Sequence, residues 1–126
     1  MKRLILAISL IVTTIIISLA SLSILNNTNE RMLQRLDEII EYTETDDYNA
    51  LNSTVKETYE QWKKEKPILN ILIGQQGTNE ITSDLKMIQY FSHNGNTDSL
   101  FLYIYECKTE LERIKNNNEP SLSTIF

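Results

Sequence analysis

Catalysis needs nucleophiles, titratable groups or metal ligands brought together, and this chain of 126 residues holds one histidine and one cysteine, His93 and Cys107. A structural zinc site takes four ligands at set spacings, and neither CxxC nor HExxH occurs. His93 falls in the polar run His93-Asn94-Gly95-Asn96, which reads as a solvated turn. Cys107 falls on an apolar helical stripe, where the expected role is that of a small buried hydrophobe. Nothing in the spacing places the two together as a nucleophile pair. Carboxylates are plentiful at Asp37-Glu38, Glu41, Glu44 and Asp46-Asp47. General acid–base work needs two carboxylates in unlike, partly buried surroundings, whereas these lie on the polar face and at the end of a helix. Asp46-Asp47 lacks the alternating oxygen ligands of a calcium loop. Gly74-Gln75-Gln76-Gly77 lacks the Lys-Ser/Thr that completes a phosphate loop. The expectation is a protein with no catalytic residue, no metal site and no cofactor.

The aromatic residues suit contact better than catalysis. In Phe101-Leu102-Tyr103-Ile104-Tyr105, five consecutive apolar side chains of a helix cannot all face one core, so some reach a second helix or the surface. Exposed Tyr and Phe favour protein partners, which makes Tyr90, Phe101, Tyr103, Tyr105 and the terminal Phe126 candidate contact residues. Burial between neighbouring helices is the competing and commoner fate of such rings.

What positions these residues begins with residues 4–25, LILAISLIVTTIIISLASLSIL, which contain no charge, proline or glycine. Twenty-two residues of α-helix span about 33 Å, against a hydrocarbon core of about 30 Å. The segment therefore reads as a membrane anchor contacting lipid, with residues 1–26 as the anchor region and 27–126 as the water-exposed domain. A cleaved signal peptide is the alternative, because Ser18-Leu19-Ala20 resembles a cleavage site, but the apolar run overshoots the usual ~7–15 residues. Lys2, Arg3 and the α-amino group precede the run and Arg31 and Arg35 follow it, so three positive groups against two place the N-terminus in the cytoplasm by a narrow margin. Those first two account for two of the twelve basic residues, leaving ten against seventeen acidic ones in 27–126. Such a domain repels phosphate backbones, and no nucleic-acid partner is expected.

Downstream the apolar spacing is helical throughout. Asn26–Asn29 either caps a new helix or lets the first continue, and Met32, Leu33, Leu36, Ile39 and Ile40 then form one stripe. The run 43–47 (TETDD) supplies caps for a second helix with Tyr48, Leu51, Val55, Tyr59 and Trp62 on one side. Pro67 marks its expected end. Residues 68–73 (ILNILI) are expected to form a short buried helix, since no second strand exists to pair with them, and 74–77 (GQQG) to end it. A third helix is expected from about Asn79, with Ile81, Leu85, Ile88 and either Phe91 or Met87 inward. A fourth is capped by Thr97 or Asp98 and carries Leu100, Ile104, Cys107 or Lys108, Leu111 and Ile114. The tail 121–126 (SLSTIF) is expected to dock. The fold class predicted is all-α: an N-terminal transmembrane helix followed by a small antiparallel bundle of three to four helices.

The order of features resembles a known family. A Lys2-Arg3 anchor precedes an acidic helix, then Asp46-Asp47-Tyr48-x-Ala50-Leu51, Trp62-Lys63-Lys64, the Ile-rich segment, two helices and a closing Pro120-Ser121-Leu122-Ser123-Thr124-Ile125-Phe126. This is similar to a family of short, uncharacterised single-pass membrane proteins of spore-forming Firmicutes, catalogued as a domain of unknown function. The resemblance implies an anchored helical protein and brings no activity. Its pattern includes a histidine soon after the Ile-rich segment, where this chain has Gln75-Gln76.

The functional expectation is a single-pass, membrane-anchored helical interaction or accessory module of the bacterial cell envelope, domain outside, with a protein partner in the membrane or envelope. A sensor-like bundle binding a small molecule, and a secreted domain after cleavage at Ala20, are the alternatives.

Overall fold

A computed structural model describes residues 1–118. It contains four helices and, among the described residues, no strand: α1 (Lys2–Glu44), α2 (Tyr48–Ile73), α3 (Gln75–Asn94) and α4 (Thr97–Asn118).

The polar stretch 26–29 does not interrupt α1, which runs 43 residues without a break. Asn normally competes with a helix by bonding its own backbone. Asn29 instead sends its Nδ2 across to the carbonyl oxygen of Leu111 in α4, at 2.7 Å. Its side chain is thereby spent on tertiary structure, and the helix continues. Through Ile24 no side chain of α1 is buried, and Leu25 is the first that is.

Asp47 caps α2, its carboxylate accepting from the Ala50 N–H at 3.2 Å. Tyr48, expected inward, is instead 58% exposed, because as the first helical residue it precedes the turn where the stripe meets its neighbours. The expected boundary at Pro67 is overturned: α2 passes through it to Ile73. The ring removes one backbone bond, but Pro67 lies on the exposed side, where water can satisfy the freed carbonyl. Continuing the helix seats Leu69 (2% exposed) in the core. Residues 68–73 are thus the last turns of α2 rather than a separate buried helix, and Ile68 and Ile71 are exposed. Replacing Pro67 with Ala is expected to raise bundle stability by about 1–2 kcal/mol, less than the ~3 kcal/mol of an isolated helix interior because packing already compensates. Thermal melting followed by circular dichroism in detergent measures it.

The links are single turns. Gly74 alone, at φ +87°, breaks the chain between α2 and α3, so α3 starts at Gln75 rather than near Asn79 and Gly77 is helical. Gly95, at φ +75°, ends α3 in the left-handed conformation that favours glycine. The α4 cap is Asn96, whose Oδ1 accepts from the Ser99 N–H at 3.2 Å. Thr97 and Asp98, the expected caps, are already helical.

Each helix packs on its sequence neighbours, and α1 closes the ring against α4. Short links make neighbours antiparallel, giving an up-down-up-down four-helix bundle. Met32, Leu36 and Ile39 of α1 meet Leu51, Val55 and Trp62 of α2, Ile81, Leu85 and Ile88 of α3, and Leu100, Ile104, Cys107, Leu111 and Ile114 of α4. Lys108 leaves this stripe for an ion pair with Asp37 of α1, at 2.6 Å.

Candidate functional site

The run 101–105 divides as its helical positions require. Ile104 is fully buried, Phe101 and Tyr103 pack half-buried against the core, and Leu102 (63%) and Tyr105 (58%) are exposed. Across on α3, Tyr90 is exposed and Phe91 is half-buried. The Phe91 ring joins the two helices: it meets Tyr90 edge-on at 5.1 Å and stacks on Tyr103 at 5.6 Å. Such ring pairs contribute about 0.5–1.5 kcal/mol beyond the area they bury. Tyr90 on α3 and Leu102 and Tyr105 on α4 are thus exposed, with Tyr90 alone supported by the ring pair and Tyr105 about 200° around α4 from Tyr103, while Phe101 and Tyr103 serve mainly as packing. Phe126 and the expected docking of the tail lie outside the described residues.

Asp84 of α3 is a site residue that spacing alone could have found, since it stands three after Ile81 and four before Ile88, on the buried stripe. It is 5% exposed, and its Oδ2 is buried without a hydrogen-bond partner. Burial first, then the Glu106 and Glu80 charges, pushes its pKa up to about 6. Cys107, fully buried, has its thiol pushed upward by burial and then by the Asp84 and Glu106 charges. A thiol so held is protonated and a poor nucleophile. His93 is exposed in the last turn of α3. Among the described residues no three His, Cys, Asp or Glu side chains gather as a metal site.

The raised Asp84 pKa makes stability depend on pH. In the unfolded chain the carboxyl titrates near 3.8 and in the bundle near 6, so folding favours the protonated form. The stability that Asp84 contributes is full below about pH 4, falls as pH rises through 6 and is lost above it. Asp84→Asn is expected to flatten that slope and to raise the melting temperature at pH 7 by several degrees, leaving it little changed at pH 4. Paired melts at the two pH values measure this.

The interior offers little room. Where the four helices meet, Leu25, Asn29, Trp62, Leu69, Ile81 and Leu111 surround a cavity of about 10 Å³, enough for one water. Larger spaces are open surface grooves. One, of about 300 Å³, lies between α1 and α2 and is lined by Arg31, Gln34, Arg35, Glu38 and Gln61. Its arginines are already engaged, Arg31 with Glu65 at 2.7 Å and Arg35 with Glu57 at 3.4 Å.

Fold and surface together define a helical bundle carried on the continuation of a long apolar helix, with aromatic rings packed between α3 and α4. The chain belongs to the family described as Domain of unknown function (DUF4363), whose profile matches residues 19–125. The match takes in the whole bundle and the last turns of the apolar segment, as the resemblance to a family of unknown function leads one to expect. A search of the curated proteins returns no match, and a search of the solved structures returns none.

Proposed function

We propose that this chain is a single-pass membrane protein whose bundle works outside the cytoplasmic membrane as a non-catalytic interaction module. The observation that carries the reading is α1: a charge-free apolar segment, touched by no part of the core before Leu25, leads without a linker into a folded bundle. An apolar surface that long, left uncovered by the protein, is stable only in lipid. Lys2 and Arg3 hold the N-terminus on the cytoplasmic side by the rule that favours basic residues there. The partner surface is the outer side of α3 and α4, where exposed Tyr90 and Tyr105 each provide large contact area at small entropic cost. The family to which the chain belongs would on this reading consist of anchored envelope proteins.

Fractionation of a C-terminally tagged protein, with protease added to intact cells, tests the placement. The expected result is a full-length, carbonate-resistant membrane protein whose tag is digested from outside. A shortened form in the medium would instead establish cleavage near Ala20, and a protected tag would reverse the sidedness. A photo-crosslinking side chain at Tyr105 tests the partner, with exposed Lys56 on α2 as control. A reproducible adduct is expected from position 105 alone, and none from either position would end the partner reading.

A further inference from the structure

We propose that the α2–α3 end of the bundle is a second membrane contact, with Ile68, Ile71 and Leu72 seated in the interfacial layer of the bilayer that α1 crosses. The inference rests on the reading of α1 as an anchor. Ile71 is 84% exposed, more than any large apolar residue of the charge-free run 4–25, where Leu10 is highest at 69%. Ile68, one turn earlier on the same helix, is 51% exposed. These side chains are not scattered surface residues, because the α2 terminus lies alongside the anchor. Leu72 lines a groove of about 270 Å³ with Ile17, Ser18, Ser21, Leu22 and Leu25 of α1.

The height of that groove identifies what covers it. About 20 helical residues cross a hydrocarbon core of about 30 Å, so a span starting at Leu4 leaves the core near Ser23. Leu72 stands level with residues 17–25, at the outer edge of the hydrocarbon. The apolar surface of the anchor meets the α2 terminus at Leu72, with Ile68 and Ile71 within about one turn of it along α2, so lipid that covers the first stands at the depth of the second. Chemistry above and below agrees. Lys63, Lys64 and Lys66 precede Leu72 by six to nine residues, about 9–14 Å further out, at the depth of lipid phosphates. Lys63 is held there over the Tyr59 ring, its Nζ 5.0 Å from the centroid. Gln75 and Gln76, exposed in the first turn of α3, limit the contact to the interface. Apolar residues under a tier of lysines form the pattern of an interfacial helix end.

Single cysteines bearing an environment-sensitive fluorophore test this in the full chain, reconstituted in bilayers of phosphatidylcholine and phosphatidylglycerol with nitroxide-labelled lipid as quencher. The native Cys107 is buried and does not compete for the label. Ile71→Cys and Ile68→Cys are compared with Ser9→Cys in the anchor and Glu60→Cys higher on α2. The expected result is blue-shifted emission and nitroxide quenching at 68 and 71, several-fold stronger than at 60, with strong quenching at 9. Quenching at 9 but water-like emission at 68 and 71 would overturn the second contact while leaving the anchor in place. Blue-shifted emission at 71 without nitroxide quenching would overturn it in favour of contact with a second copy. Absence of quenching at 9 would remove the anchor reading and this inference with it.

Discussion

Replacing Trp62 with Ala is expected to cost about 3–5 kcal/mol and to leave the bundle only marginally stable. Trp62 is 1% exposed at the level where all four helices converge, beside Asn29 of α1, Ile81 of α3 and Leu111 of α4. No neighbour can fill the space its ring would vacate, because the small cavity already there shows that packing at this level has no slack material. A bundle of this size has a total stability near the low end of 5–15 kcal/mol, so the loss consumes most of it. The indole also donates from Nε1 to the Thr82 hydroxyl at 2.8 Å, and Thr82 in turn donates to the Thr78 carbonyl at 2.8 Å. Trp62→Phe keeps most of the ring volume and removes only the first of these bonds. It is expected to cost about 1–2 kcal/mol. The ratio of the two losses, read from thermal melts, separates packing from hydrogen bonding. Equal losses would show that the α2–α3 bond, not the ring, makes Trp62 important to stability.

The second large effect concerns the anchor. Substituting Lys for both Ile11 and Ile15, one turn apart in the middle of the apolar segment, is expected to abolish stable membrane insertion. A lysine at the centre of a spanning helix costs about 2.5–3.5 kcal/mol, and two on one face leave no route for both to reach water. Ile11 is 60% and Ile15 53% exposed, and neither meets the bundle. The melting temperature of the domain in detergent should therefore stay within a degree or two of the parent, since surface changes remote from packing are small. A carbonate-soluble protein with an unaltered melt is the expected outcome. Retention in the membrane would show that something other than the apolar segment holds the protein there.

The parts of this fold legible in the sequence are those governed by a local rule. The 3.6-residue period picked out Met32, Leu36 and Ile39, and likewise Leu100, Ile104, Cys107, Leu111 and Ile114, because a residue's place on a helix face depends only on its neighbours along the chain. The acidic cap before α2 was readable for the same reason, Asp47 bonding a backbone N–H three residues on. What escaped depends on partners far away. Whether Asn26–Asn29 caps a new helix or continues the first stays open until the bond from Asn29 to Leu111, 82 residues downstream, is known. Pro67 reads as a terminus until Leu69 is seen to need a continued helix to reach the core. Tyr48 falls on the apolar period yet stands outside it, since period says nothing of where packing begins. Of the candidate contact residues, Tyr90 and Tyr105 are exposed, but sequence spacing does not distinguish them from Tyr103, which Phe91 holds by stacking. Asp84 lies on the buried stripe by period, yet a charged residue on an apolar face reads as the edge of the stripe, and only the packing shows it buried.

The unbroken path of α1 from Lys2 to Glu44 has a mechanical consequence. If α1 spans the membrane as proposed, a flexible tether would let the exposed tyrosines sweep through all directions over the membrane, whereas a helix couples their azimuth to that of the spanning segment. One residue inserted at Asn26 or Asn27 would turn everything beyond it by about 100° relative to the span. The direction in which Tyr90 and Tyr105 look along the membrane plane is therefore set by residue count, and a partner fixed in the same membrane would meet or miss them by a single amino acid.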